Sequence, residues 1–114
     1  MEELNKLELK ILERLSEEYP LVRYHIPYLK VESREITGVG MYSNFAYCNQ
    51  GEKIPDLGIN NASISTNETI EIEALKYGLA YEVDVLDGKL KFIELVTYGE
   101  NWNGKIPSTF RFSK

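Results

Sequence analysis

Residues 78–98 read GLAYEVDVLDGKLKFIELVTY, and this stretch decides the fold. Apolar and polar residues alternate on both sides of Asp87-Gly88, a dipeptide typical of a two-residue type I′ hairpin turn. Such a turn sets Asp84 opposite Lys91, which is a favourable cross-strand charge pair. The stretch therefore predicts an antiparallel hairpin centred on that turn.

The register of this hairpin calls for one extra residue in its second strand. Continued without a shift, the pairing sets Tyr81 opposite Glu94 and turns Leu95 to the wrong face. A β-bulge at Phe92/Ile93 corrects the register and pairs Tyr81 with Leu95. If both faces of the hairpin are buried, no bulge is needed.

The rest of the chain predicts one helix followed by strands. Leu4, Leu7, Ile11 and Leu15 recur at spacings of three and four, as in an amphipathic helix. Pro20 ends it, because proline disfavours the helical conformation in the residue before it. The predicted elements are a helix over 2–18, strands near 29–37, 39–47, 62–66, 69–75, 78–86 and 89–98, and a further candidate strand at 108–112.

This order of elements predicts a single α+β domain over residues 1–114. The N-terminal helix is expected to pack on one face of a mostly antiparallel sheet of about five or six strands. Residues 48–61 form the longest loop, and a loop of this length in a compact domain is either mobile or functional.

Composition narrows the classes of function. The chain has 114 residues, and its 43% hydrophobic content is that of an ordinary globular domain. A net charge of −5 argues against a nucleic-acid binder with a basic face. Charges interrupt the N-terminal segment too often for a signal peptide or a membrane span. One cysteine suits a reducing compartment, so we expect a cytoplasmic protein that does not bind membranes.

The residues for several chemistries are missing or badly spaced. Cys48 and His25 are the only cysteine and histidine, and nothing in the sequence brings them together as a nucleophile and base. Two such residues cannot form a structural zinc site, and no metal or cofactor is expected. Gly38-Val39-Gly40 lacks the third glycine and the following helix of a dinucleotide-binding loop, and is typical of a bend or close packing.

Carboxylate chemistry stays open as an alternative. Glu94 lies near the predicted bulge, and bulges re-aim side chains near functional sites. A pocket between helix and sheet, lined by Glu94, Arg34 and a tyrosine, would indicate a small carboxylate-based enzyme or a ligand-binding domain.

Aromatic richness favours protein binding instead. The chain has eight tyrosines, and tyrosine is a large, stiff and amphipathic side chain that suits interfaces. The rings of Tyr98 and Trp102 flank a polar turn and are expected to be at least partly exposed. The candidate partner-binding residues are Tyr98, Glu100, Trp102, Tyr42, Arg34 and Glu94.

Two stretches resemble a known family. Residues 33–40, SREITGVG, and residues 78–102, which end in TYGENW, resemble the S-R-E-aromatic-T-G-V-G and D-G…L-E…T-Y-x-x-x-W patterns of a family of small bacterial proteins. This chain has Trp102-Asn103 where the family pattern has Trp-Pro. The resemblance implies a helix-plus-sheet fold. Because similar short chains are proposed as immunity partners of polymorphic toxins, it also implies a toxin-neutralising role.

Three hypotheses follow from the sequence. The first is a non-enzymatic protein-binding module, with a toxin domain as partner, that uses the Tyr98–Trp102 corner, the 48–61 loop or both. The second is the carboxylate-based enzyme or ligand-binding domain. The third is a homodimer formed through a strand edge or the sheet face.

Overall fold

The computed structural model describes residues 1–48 and 53–114. Its elements are α1 (Lys6–Glu18), β1 (Leu29–Ile36), β2 (Gly40–Tyr47), β3 (Asn61–Ile64), β4 (Thr69–Glu71), β5 (Leu79–Leu86), β6 (Lys89–Thr97) and β7 (Arg111–Ser113), with two short 3₁₀ helices at Pro20–Tyr24 and Ile26–Tyr28. Residues 49–52 of the predicted 48–61 loop lie outside the described residues.

The strands form one antiparallel sheet in the order β1-β2-β6-β5-β4-β7, and β3 pairs with β5 beside β4. Helix α1 packs on one face of this sheet. The predicted α+β fold is therefore confirmed, with seven described strands rather than five or six. The β1–β2 and β5–β6 hairpins pair with each other through β2 and β6, which places β6 and β5 at the centre of the sheet.

The core lies between α1 and the sheet. The apolar stripe of the helix is fully buried at Leu7, Ile11 and Leu15, and it belongs to the same core as Val83 and Ile93 of the central strands. Each such side chain contributes roughly 1.5–3 kcal/mol by leaving water. The helix therefore depends on the sheet, as expected for an amphipathic segment too short to be stable alone.

Helix α1 begins at Lys6 rather than at residue 2. The Asn5 side chain accepts from the Glu8 amide and the Glu8 carboxylate accepts from the Asn5 amide, each at 2.8 Å, which forms a capping box. The chain before it is extended, because Glu2 exchanges two backbone hydrogen bonds with Val31 of β1. The first residues thus cover part of the β1 edge.

The bulge in the β5–β6 hairpin lies at Lys91 and not at Phe92/Ile93. Val85 pairs with Leu90 and Asp84 pairs with Phe92, so Lys91 is the extra residue. The predicted Asp84–Lys91 pair was therefore wrong, whereas the predicted pairings beyond the bulge, including Tyr81 with Leu95, are confirmed. The observed position buries Ile93 against Val83 and turns Phe92 to the opposite face of the sheet.

Two glycines fit their predicted roles. Asp87 and Gly88 both have positive φ angles, 53° and 76°, as a type I′ turn requires. At Gly40, a Cβ atom would overlap the carbonyl oxygen of Leu95, so this glycine permits close packing of β2 on β6.

The three shorter strands have bounds that differ from the predicted ones. β3 ends at Ile64 instead of 66, and the Thr66 amide donates to the Tyr81 hydroxyl at 3.1 Å. β4 ends at Glu71 instead of 75, where the chain turns back toward β5. The last strand comprises Arg111–Ser113 rather than 108–112, and it pairs with β4.

Candidate protein-binding surface

One face of the sheet has no layer packed on it among the described elements. Strand alternation gives this face its residues, since paired positions on neighbouring antiparallel strands share a face. We call it the open face, and it includes Lys30, Ser33, Glu35, Tyr42, Asn44, Ala46, Ala80, Glu82, Asp84, Leu86, Lys89, Phe92, Glu94, Val96 and Tyr98.

A row of four residues crosses the centre of the open face. Glu35 pairs with Tyr42, Tyr42 with Glu94, and Glu94 with Glu82, on strands β1, β2, β6 and β5. The Tyr42 hydroxyl donates to Glu94 Oε2 at 3.1 Å. This hydrogen bond to a carboxylate raises the pKa of Tyr42 and keeps the phenol protonated. Glu82 and Glu94 remain as directly opposed like charges, an arrangement that destabilises a sheet.

Aromatic and aliphatic side chains flank this row. The rings of Tyr42 and Phe92 meet edge to face with centroids 5.3 Å apart. Tyr98, at the end of β6, keeps 52% of its surface exposed, and Val96 keeps 36%. Exposed rings beside charged groups form the mixed surface that is common in protein interfaces.

A recess of about 360 Å³ opens at one side of the open face. β3 ends at Ile64 and β4 begins at Thr69, and both strands pair with the same edge of β5. The recess lies between these two pairings, where that edge of β5 has no partner strand. Its lining is shared between the open face and the connection between those two strands: Ser65, Asn67, Glu68, Ala80, Tyr81, Glu82, Glu94, Val96 and Tyr98.

The structure separates the six residues singled out by the sequence. Tyr42, Glu94 and Tyr98 come together on the open face, but Arg34, Glu100 and Trp102 do not. Arg34 pairs with the buried Ser43 of β2 and therefore points to the helix side of the sheet.

Arg34 is engaged in a structural ion pair. Its Nε and Nη2 atoms donate to the two carboxylate oxygens of Glu8 at 2.8 Å each. Because Arg34 and Glu94 point to opposite faces of the sheet, they do not line one pocket together. Fully buried side chains such as Leu12 and Val31 fill the space between helix and sheet, where the enzyme hypothesis placed its pocket.

Glu100 and Trp102 also hold the fold together. The Glu100 carboxylate accepts from the backbone amides of Lys76 and Tyr77 at 3.0 and 2.9 Å, and these bonds lower its pKa. Trp102 is only 5% exposed, and its backbone amide donates to the Gly38 carbonyl. The expectation that its ring is partly exposed was wrong, because the 99–102 turn folds back over the β1–β2 hairpin.

His25 and Cys48 have separate partners. His25 Nε2 donates to the Pro55 carbonyl at 2.6 Å, so its Nδ1 atom accepts from the Tyr47 hydroxyl at 2.8 Å. The Tyr47 oxygen in turn accepts from the Leu90 amide at 2.8 Å. The Cys48 thiol donates to the Tyr28 carbonyl. Both imidazole nitrogens are thereby occupied, and neither is available to activate the thiol.

Burial shifts the pKa values of His25 and Tyr47 in opposite directions. It lowers the pKa of His25, against the opposing effect of the Pro55 carbonyl, and thereby favours the neutral ring. Burial also raises the pKa of Tyr47 to about 12. The described part of the long loop is anchored through Pro55, and Leu57 donates to the Gly88 carbonyl at 3.2 Å.

Reasoning from the sequence missed Phe92, Glu82 and Val96 as members of the surface. Alternation alone identifies Glu82 as a solvent-facing residue, and the same signal holds for Val96. Phe92 could not be placed, because its face depends on the position of the bulge.

No protein-family model, curated protein or solved structure matches this chain. In the described part of the chain, no three His, Cys, Asp or Glu side chains gather in a metal-binding arrangement. None of the helices there is long and apolar enough to cross a membrane.

Proposed function

We propose that this chain is a non-enzymatic protein-binding module whose open face receives the partner. The observation that supports this is a sheet covered by a helix on one side only. Its bare side presents Tyr42, Phe92, Val96 and Tyr98 among carboxylates. Exposed apolar area rimmed by polar groups is a feature of interaction sites.

The proposed partner is a toxin domain, which this chain neutralises by covering it. The family resemblance of the 33–40 and 78–102 stretches motivates this choice. The carboxylate-based enzyme is the weaker candidate, because Arg34 and Glu94 lie on opposite faces and the helix–sheet interior is filled.

Two matched double variants test the role of the open face. Val96→Ser with Tyr98→Ser removes apolar surface from it at positions that are 36% and 52% exposed. Leu21→Ser with Tyr24→Ser removes similar surface from the Pro20–Tyr24 helix, at positions that are 39% and 56% exposed. Each tagged protein is used to capture cross-linked partners from the cells that naturally make it.

We expect the wild type and the Leu21/Tyr24 variant to retain the same protein and the Val96/Tyr98 variant to lose it. Co-expression with the product of the neighbouring gene then measures neutralisation as cell survival. Absence of a specific partner, or loss of the partner only in the Leu21/Tyr24 variant, would count against the proposal.

A further inference from the structure

The open face carries four carboxylates, and none of them forms an ion pair among the described residues. They belong to Glu35, Glu82, Asp84 and Glu94. Their polar contacts are with neutral groups: Glu35 accepts from Asn44 and Glu94 accepts from Tyr42. The centre of the open face is therefore acidic: Lys30, at the β1 edge, is paired with Glu3, and Lys89 lies at the turn end of the β5–β6 hairpin.

Three of the four arginines form ion pairs elsewhere in the fold, and the fourth, Arg23, lies on the Pro20–Tyr24 helix. Arg14 pairs with Glu68, Arg34 with Glu8 and Glu2, and Arg111 with Glu71. The pairs of Arg34 and Arg111 lie away from the central row of the open face, whereas Glu68 of the Arg14 pair lines the recess beside that row. Arginines therefore neutralise carboxylates that link different elements of the fold, whereas the four carboxylates of the open face have no ion-pair partner among the described residues.

The opposition of Glu82 and Glu94 adds a second argument. Directly opposed like charges destabilise a β-sheet, and a cation placed between them would remove that repulsion. The neighbouring rings of Tyr42, Phe92 and Tyr98 favour a guanidinium in particular. Arginine stacks on aromatic faces and binds carboxylates through two parallel hydrogen bonds, whereas lysine offers a single point charge.

The negative charge of the open face also indicates which kind of molecule can bind there. A second copy docked face to face would set the same carboxylates against each other, and like-charge contacts suppress such a pairing. Nucleic acid and anionic lipid are disfavoured for the same reason. The complementary occupant is a basic protein surface.

We propose that the partner docks on the open face with an arginine-bearing basic patch that neutralises Glu82 and Glu94. This inference rests on the proposed function, since it names the chemistry of the partner at the same surface. The recess beside Glu82, Glu94 and Tyr98 offers about 360 Å³ for one of the arginine side chains.

A defined probe tests the chemistry without the natural partner. The ¹⁵N-labelled full chain is titrated with a peptide that alternates arginine and tyrosine, and with a matched peptide that has glutamate in place of arginine. We expect amide shifts at Tyr42, Glu82, Glu94 and Tyr98 with the arginine peptide alone. Equally large amide shifts at the exposed Glu13 and Glu17 of α1, or no amide shifts on the open face, would overturn the inference.

Matched charge variants complete the experiment with the captured partner. Glu82→Gln with Glu94→Gln neutralises the open face, and Glu13→Gln with Glu17→Gln removes the same charge from an exposed side of α1. We expect the first pair to weaken partner binding about tenfold at low salt and the second to leave it unchanged. The salt dependence of binding should fall in the first pair only.

The outcomes separate this inference from the proposed function. If the Val96/Tyr98 variant loses the partner while the Glu82/Glu94 variant keeps it at full affinity, the open face is the interface but the basic-patch inference fails. If neither variant weakens binding, both proposals fail.

Discussion

Arg34 and Glu8 join β1 to α1 through two parallel hydrogen bonds of 2.8 Å. Glu8 is only 1% exposed, and it also accepts from the Asn5 amide that it caps. Burial by itself would raise the pKa of Glu8, but the bonds from Arg34 and Asn5 outweigh it and hold the pKa below its usual range. The carboxylate is therefore charged in the folded protein and depends on Arg34 for its counter-charge.

Replacing Arg34 with methionine should lower the free energy of unfolding by about 2–4 kcal/mol, because it leaves a buried carboxylate without its partner. Urea unfolding at pH 7 measures the loss. Arg23→Met, at an exposed arginine of the Pro20–Tyr24 helix, is the matched control and should change stability little.

A second substitution distinguishes an unpaired charge from lost packing. Adding Glu8→Gln to the Arg34→Met variant removes the stranded charge and should restore part of the stability. The destabilisation caused by Glu8→Gln is measured in the wild type and again in the Arg34→Met variant. If the two values are equal, the residues are not coupled and this account of the pair is wrong.

His25 makes stability depend on pH. Its pKa is lowered in the folded protein, whereas the unfolded chain binds the proton at the ordinary value of 6.5. Below about pH 6.5 protons therefore favour the unfolded chain, and stability present at higher pH is lost as pH falls. We expect the urea midpoint to drop between pH 7.5 and 5.5, a window above the ordinary range of the carboxylates.

The single histidine makes the measurement direct. NMR titration of its ring should give a midpoint below 6.5, and His25→Gln should flatten the pH dependence of the urea midpoint in that window. A midpoint above 6.5 would contradict the hydrogen-bond assignment in which Nδ1 accepts from Tyr47.

Local patterns in the sequence were enough to predict most of the fold. Alternation around Asp87-Gly88 predicted the central hairpin, and spacings of three and four predicted α1. Asn5 and Glu8 also have the spacing of a capping box, which marks the start of the helix at Lys6, whereas the hydrophobic stripe extends back to Leu4 and does not define that start. Strand order depends on contacts distant in sequence, and no local pattern specifies it.

The open face was only partly predictable for the same physical reason. Alternation shows that Glu82 faces solvent but not that Glu94 lies opposite it, because that pairing depends on the bulge. Arg34 and Trp102 have residue types common at interfaces, yet Arg34 is held by Glu8 and Trp102 is buried beneath a turn. Residue type alone does not reveal such tertiary contacts.

Close packing at Gly40 gives a further prediction. An alanine Cβ there would overlap the Leu95 carbonyl oxygen, which is part of the β6 backbone and cannot turn away as a side chain could. Gly40→Ala should therefore lower the free energy of unfolding by about 1–3 kcal/mol in urea. Ser63→Ala, at an exposed position of β3, serves as the control and should have little effect.

The opposition of Glu82 and Glu94 predicts a conflict between stability and binding. Glu82→Lys replaces a repulsive cross-strand pair by an attractive one and should raise the free energy of unfolding by about 0.5–1 kcal/mol. The same change places a positive charge where the basic partner is proposed to dock, so partner binding should weaken.

Glu13→Lys on the exposed side of α1 is the control, and we expect it to leave binding unchanged. A Glu82→Lys protein that is less stable than the wild type in urea at low salt would contradict the electrostatic account of this pair. Higher stability together with weaker binding would mean that the open face carries this repulsion for recognition and not for folding.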